Sequence, residues 1–240
     1  MRHVRHILGL VVVVAVVWPA GAISSDAVLE ERSLGAEDAP VTMIEFSSLT
    51  CPHCADFHTA TLPQIKEQYI TPGKLRLVYR DDPLDSLAMA AAMLPHCVGP
   101  DRYFGLLEAL FRSQSVWARS QEPAKELERL SRFAGLSPAE FQACLNNNDL
   151  LQAIQQRAEA SRTQYNITST PTFIINGQRI VGASGFEDFQ RVIEEKLGST
   201  GETVPTPAPG NESPAVAERD AVEVGWLARQ WDRLRTWWNG

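Results

Sequence analysis

Cysteine is scarce, basic residues form no block, and no apolar run is long enough to cross a bilayer. Four cysteines in 240 residues are too few for a small domain stapled by disulfides, but enough for one redox pair and one other pair. Lys and Arg number 22 against 29 Asp and Glu, a net charge of −7. An acidic chain without a Lys/Arg cluster argues against a nucleic-acid binder. The apolar stretch Ile7 to Trp18 has twelve residues, short of the ~20 that a span needs. Tryptophan is sparse in the body, because four of the six fall in the last fifteen residues, which is not how a core distributes them. What is present in quantity is apolar side chain, 44%, so wholesale disorder is excluded. The length suits one large domain or two small ones.

Six segments follow from composition and period: 1–22, 23–35, 36–82 with 165–198, 83–164, 199–216 and 217–240. The first reads as a secretory signal. Arg2, His3, Arg5 and His6 form a basic start, Pro19 ends the apolar run, and Ala20-Gly21-Ala22 is a cleavage site. The alternative is an uncleaved anchor. No cysteine stands at the cut and no Arg-Arg pair precedes the run, which disfavours lipidation and twin-arginine export. The mature chain then enters an oxidising compartment, periplasmic or extracellular, where cysteines pair or do redox work. Residues 23–35 form an N-terminal extension.

The body alternates strand and helix signals. Residues 41–46 (VTMIEF) are β-branched, aromatic and apolar except at Glu45. Residues 51–69 read as a helix with Pro52 in its first turn and a kink at Pro63, and 75–79 as a second strand. Residues 83–164 carry only helical periods, at 83–97, 101–112, 122–133, 137–145 and 149–164. Ser137-Pro138-Ala139-Glu140 is a capping box. Strands return at 172–175 and 178–181 around Asn176-Gly177, a hairpin signal, followed by a last helix ending near 197–198. The pattern is α/β with an inserted all-α block. Residues 199–216 hold four prolines and read as an extended linker.

Cys51-Pro52-His53-Cys54 is the chemical centre. A bare C-x-x-C is half a zinc site or a redox pair. Zinc usually asks for a second such pair, and Cys97 and Cys144 lie far apart. A strand just before, a helix starting at the first cysteine, and secretion all suit redox chemistry. At a helix start, unpaired N–H groups and the positive end of the dipole stabilise a Cys51 thiolate. His53 is expected to add a positive charge or a donor. Each unit of pKa depression is worth about 1.4 kcal/mol to the thiolate. Where it lies below ambient pH it adds roughly 30 mV of oxidising power. Cys54, one turn in, should be the shielded resolving thiol.

The stretches VTMIEFSSLTCPHCADFHTATLP and STPTFIINGQRIVGASGFEDFQRVIEEKL, with the helical insertion between them, resemble the DsbA family of thiol–disulfide oxidoreductases. The resemblance covers about residues 34–198. It implies a thioredoxin-like fold with an inserted all-α domain, Cys51 as the exposed nucleophile, Cys54 as its buried partner, and no cofactor. It implies that Pro171 is a cis-proline facing the pair. From the residues alone, a trans proline opening a strand is equally acceptable. A cis bond would turn the Thr170 backbone toward the sulfurs, where it could pair with an extended substrate; Pro52 would flank the same substrate. The resemblance gives Glu45, six residues before Cys51, the task of moving protons to and from the buried cysteine. The alternative is a carboxylate that reaches an edge. His58 is expected on the surface and His96 as a structural residue. Cys97 and Cys144 are expected as a structural disulfide, with two buried free thiols as the alternative. Two glycosylation sequons, at Asn166 and Asn211, are coincidental if the source is bacterial.

The reading is a secreted dithiol oxidase that passes its Cys51–Cys54 disulfide to reduced or unfolded proteins. A DsbB-like, quinone-linked membrane protein would reoxidise it, by resemblance. The rivals are an isomerase or reductase kept reduced by a membrane donor, and a chaperone-like binder whose C-x-x-C is structural. The last segment places Val224, Leu227, Trp231, Leu234 and Trp238 on one helical stripe. Such a helix needs a surface: its own domain or a second copy, a membrane interface, or none if it stays unfolded.

Overall fold

The computed structural model describes residues 29–199. The expected signal peptide, the Pro-rich linker beyond 199 and the amphipathic tail at 217–240 lie outside the described residues. Five strands form one mixed sheet: β1 (Arg32–Leu34), β2 (Val41–Ser47), β3 (Leu75–Asp81), β4 (Thr172–Ile175) and β5 (Gln178–Val181). Their order is β1-β3-β2-β4-β5. Only β2 and β3 run parallel. They are joined by the crossover that begins at the cysteine pair, as a parallel pair requires. The hairpin β4–β5 lies where the Asn-Gly signal put it. Asn176 has φ 40° and Gly177 φ 86°, the two positive values that such a turn demands. Asn176 Oδ1 also accepts from Thr42 N at 2.8 Å, which ties the turn to β2.

The crossover helix is less regular than its sequence suggests. It runs as α1 (Pro52–Asp56), a π-helical turn (Phe57–Thr61), α2 (Leu62–Ile65) and a second π-helical turn (Lys66–Ile70). Pro63 stands in the first turn of α2, where its missing N–H costs little. The widened turn before it replaces the simple kink expected there. The helical block then comprises α3 (Ser86–Cys97), α4 (Pro100–Arg112), α5 (Gln114–Trp117), α6 (Pro123–Phe133), α7 (Pro138–Leu145) and α8 (Asn148–Tyr165), and α9 (Phe186–Ser199) closes the fold. The Ser137–Glu140 capping box is formed on α7.

Two elements were not expected. The strand β1, within the extension, pairs antiparallel to β3 through Arg32–Tyr79, Ser33–Val78 and Leu34–Leu77. Gly35 follows it with φ +98°, and a Cβ there would stand 2.5 Å from Leu75 O, so only glycine allows this close approach. The other is α5, one short turn after α4.

Two apolar clusters hold the layers. One lies between the sheet and the crossover with α9, and includes Met43, Leu77, Phe173, Phe57, Ile65 and Phe189. Phe57 sits 4.4 Å from Phe173 and 5.2 Å from Phe189 between ring centres; such pairs each contribute about 0.5–1.5 kcal/mol beyond area burial. The other fills the helical block around Met93, Leu107, Leu110, Phe111 and Trp117 and reaches Cys51 and Cys54. The cysteine pair therefore sits at the seam between sheet layer and insertion. Cys97 and Cys144 are joined as a disulfide between α3 and α7.

Candidate active site

β2 ends in Ser47, and the turn Ser48–Thr50 delivers Cys51 as the N-cap of α1, with φ −78° and ψ 119°. That turn is pinned from the insertion. Gln114 Nε2 donates to both Leu49 O and Cys51 O at 2.8 Å. Thr50 Oγ1 donates to Asp85 Oδ2 at 2.7 Å, and Asp85 in turn caps α3 through Ala88 N. A helix start is thus fixed in place before any chemistry is asked of it.

Both cysteines stand as free thiols. Cys51 is 6% exposed and Cys54 0%, so the expected nucleophile reaches solvent only through a narrow face. The Cys51 pKa is lowered from 9.0 to about 5. The largest cause is the hydrogen bond from the Cys54 thiol; burial opposes it, and Thr170 and the N–H groups of Cys54 and His53 add to it. Cys54 is pushed far upward, first by burial and then by its neighbour Cys51, with Ser47 and Ser48 opposing. One sulfur is therefore held ready to ionise and the other held protonated.

The Thr170–Pro171 peptide bond is cis. The Cys51 thiol donates to Thr170 O at 3.4 Å. The Thr170 hydroxyl is buried and makes no hydrogen bond among the described residues, and Thr170 helps to lower the Cys51 pKa. Gly182 N donates to Pro171 O at 2.8 Å, which anchors this loop to the hairpin.

The imidazole of His53 does not do what its place in the motif suggests. Its side chain is 73% exposed, with Nδ1 3.7 Å from Asp56 Oδ2. His53 acts on Cys51 through its backbone N–H, because the second residue of a helix turns its side chain outward while its N–H points back at the N-cap. Pro52 is exposed beside it and lines a cleft of about 400 Å³ with Thr50, Asp85, Leu87, Gln114 and Arg119.

Glu45 is fully buried, 0% exposed, and does not reach an edge. Its Oε1 lies 2.8 Å from Nε2 of His58. His58, expected on the surface, is a correction: it is 7% exposed and stacks on Phe111 at 3.9 Å between ring centres, 16° from parallel. It stands four residues after Cys54 and four before Leu62, both buried; that spacing was the signal for an inward residue. His96 pairs with Asp81 at 2.9 Å and meets the Tyr103 ring edge-on. Gln114 carried no signal in the sequence. Among the described residues, no group of three or more His, Cys, Asp or Glu is arranged to hold a metal ion.

The thioredoxin family profile matches residues 28–195. A Rickettsia conorii protein provisionally named protein-disulfide oxidoreductase is 30% identical over 145 residues, covering 60% of this chain and 52% of that protein. The chain thus spans about half the length of the rickettsial relatives it matches. Disulfide bond formation protein D of Bacillus subtilis is 25% identical over 169 residues, covering 68% of this chain and 76% of that protein. Among solved structures, Wolbachia pipientis alpha-DsbA1 superposes with a TM-score of 0.67 at 31% identity, covering 74% of this chain and 97% of that one.

Proposed function

The chain belongs to the thioredoxin family, in its DsbA-like branch, and from that premise we propose that it is a thiol–disulfide oxidoreductase working as a dithiol oxidase. The observation that carries the reading is the split between its two sulfurs: Cys51 lowered to about 5, Cys54 buried and held as a thiol. A stabilised thiolate favours the reduced enzyme over its disulfide, which makes the disulfide a donor.

In the forward direction, a substrate thiolate attacks the Cys51 sulfur of the Cys51–Cys54 disulfide. Cys54 leaves with the bonding electrons and takes up a proton. A second substrate thiolate then attacks the substrate sulfur of the mixed disulfide. The Cys51 thiolate departs readily because of its low pKa. The Thr170 backbone, beside Cys51, and Pro52, in the lining of the cleft, would hold an extended segment of the substrate. The substrates in this reading are reduced or unfolded secreted proteins. The reoxidant is a DsbB-like, quinone-linked membrane protein, and the signal sequence delivers the chain to the periplasm or outside the cell. The segment 217–240 would tether it to a membrane surface or a partner, raising local concentration near that reoxidant.

The test is turnover of a reduced two-cysteine peptide by the preoxidised full-length protein, with Cys51→Ser as control. Stoichiometric conversion to the cyclic disulfide, lost in the control, is the expected result. No oxidation of the peptide would overturn the reading. Reshuffling of a scrambled disulfide by the reduced enzyme, without net oxidation, would favour an isomerase.

A further inference from the structure

Beside the cysteine motif lies a cleft with one positive charge that nothing in the fold answers. Thr50 and Pro52, the residues on either side of Cys51, both line it, together with Leu87, Ala118 and Arg119. Its volume of about 400 Å³ falls in the range of ligand sites. Its walls are tied to one another. Gln114, 7% exposed, gives its amide to Leu49 O and Cys51 O at 2.8 Å. Thr50 Oγ1 donates to Asp85 Oδ2 at 2.7 Å, and Asp85 Oδ1 accepts from Ala88 N at 2.7 Å. The loop before Cys51, the start of α3 and α5 are thereby fixed around one opening before any substrate arrives.

The two charged side chains of the lining are in different states. Asp85 has both oxygens occupied and caps the positive end of α3, a helix of twelve residues. Arg119 is exposed and makes no hydrogen bond or ion pair among the described residues. Glu122, the next acid along the chain, is taken by Lys125. Glu108, the last acid before it, lies against Lys66 and Arg112. A guanidinium presents a planar fork of donors that fits a carboxylate with two parallel hydrogen bonds. Pro52, Leu87 and Ala118 offer apolar surface for the stem of such a side chain. An extended segment advances about 3.3 Å per residue. With its cysteine at Cys51, the residues two or three positions away lie roughly 7–10 Å along, the scale of a cleft that begins at the neighbours of Cys51. The net charge of the chain, −7, would by itself favour basic segments, so a preference for acid would be the mark of this local cation.

We propose that Arg119 selects substrate segments carrying an acidic side chain about two or three residues from the reacting cysteine, its carboxylate seated on the guanidinium in the cleft beside Pro52. The inference rests on the exchange reaction proposed above and adds to it which thiols are taken first. The contact forms as the substrate docks and persists in the mixed disulfide. It therefore raises the second-order rate of the first exchange.

The test uses the preoxidised full-length protein and reduced two-cysteine peptides that differ at one residue, Glu or Lys, placed two or three positions to either side of the first cysteine. Rates are measured at about 20 mM salt, where exposed charges are little screened. Each rate is divided by the rate of the same peptide with oxidised glutathione, which removes the neighbour's effect on the peptide's own thiolate. At one or more positions the Glu peptide should exceed the Lys peptide by about threefold or more, the scale of an exposed ion pair. Arg119→Lys should keep that ratio above one, and Arg119→Glu should bring it below one. The ratio compares two peptides on one protein, so it does not depend on how much of a variant is folded. A ratio under threefold at every position in the unaltered protein overturns the proposal. So does a ratio that stays above one in Arg119→Glu, or falls to one or less in Arg119→Lys. The two readings fail differently. If the function is wrong, no peptide is oxidised; if only this inference is wrong, all are oxidised and the ratio takes no notice of residue 119.

Discussion

Replacing Cys54 by alanine should raise the Cys51 pKa more than replacing the His53 ring, although His53 is the charged-capable residue of the motif. Cys51 is 6% exposed and sits at about 5 against an ordinary 9.0, with the Cys54 thiol as the largest cause. A hydrogen bond to a charged group contributes about 1.5–3 kcal/mol. At 1.36 kcal/mol per unit, Cys54→Ala should move the pKa upward by roughly one to two units. Thr170→Val removes a smaller contribution and should move it upward by less. His53→Ala keeps the backbone N–H and should hardly move it, whereas His53→Pro removes that N–H and should raise it. Titrating the ultraviolet absorbance of the thiolate in each reduced variant reads all four. A Cys54→Ala protein that titrates with the unaltered one, while His53→Ala rises by a unit or more, would refute the ranking. The consequence for potential is direct. At neutral pH only the depression from 7 to about 5 stabilises the reduced form, about 3 kcal/mol or roughly 60 mV of oxidising power. His53→Pro, which keeps both cysteines, should lose part of this.

Three further outcomes follow from the same geometry. Cys51 has a folded pKa below its unfolded one, so its stabilisation of the folded dithiol form is full above pH 9 and is lost as pH falls to about 5; the disulfide form lacks this contribution. The unfolding free energy of the dithiol form should therefore gain about 2 kcal/mol on that of the disulfide form between about pH 5 and about pH 7, read by urea titration of both forms, and a constant difference would refute it. Cys97→Ala with Cys144→Ala opens a loop of sequence separation 47 and should cost about 4 kcal/mol by loop-closure entropy, seen as a lower urea midpoint with peptide oxidation retained. Gln114→Ala strips the donor from Leu49 O and Cys51 O, and should cost about 2 kcal/mol or more while slowing peptide oxidation; equal stability would show that the turn holds without it.

What could be read from the chain was what depends on near neighbours. The Asn176-Gly177 hairpin came out at its residues because two positive φ values in succession leave little choice of side chain. Cys51 at a helix start followed from Pro52 and the apolar spacing after it. The strand β1 escaped because three residues, Arg-Ser-Leu, show no alternation and are held by backbone pairing to β3, more than forty residues on. The π-helical turns escaped because no residue type demands them. In the site, adjacency misled. His53, between the cysteines, turns its ring to solvent, while besides Cys54 the groups that hold Cys51 and its loop come from Thr170 and Gln114, separated from it by 119 and 63 residues. His58 was missed for a related reason. Its spacing from Cys54 and Leu62 placed it inward, but a histidine is admitted to a core only with a partner, and that partner, Glu45, lies on a strand before the helix begins. A polar residue on a buried face is therefore a question about which other element meets it. Here the only charged residue of β2 was the answer, and the parallel crossover through the cysteines is what brings the two together.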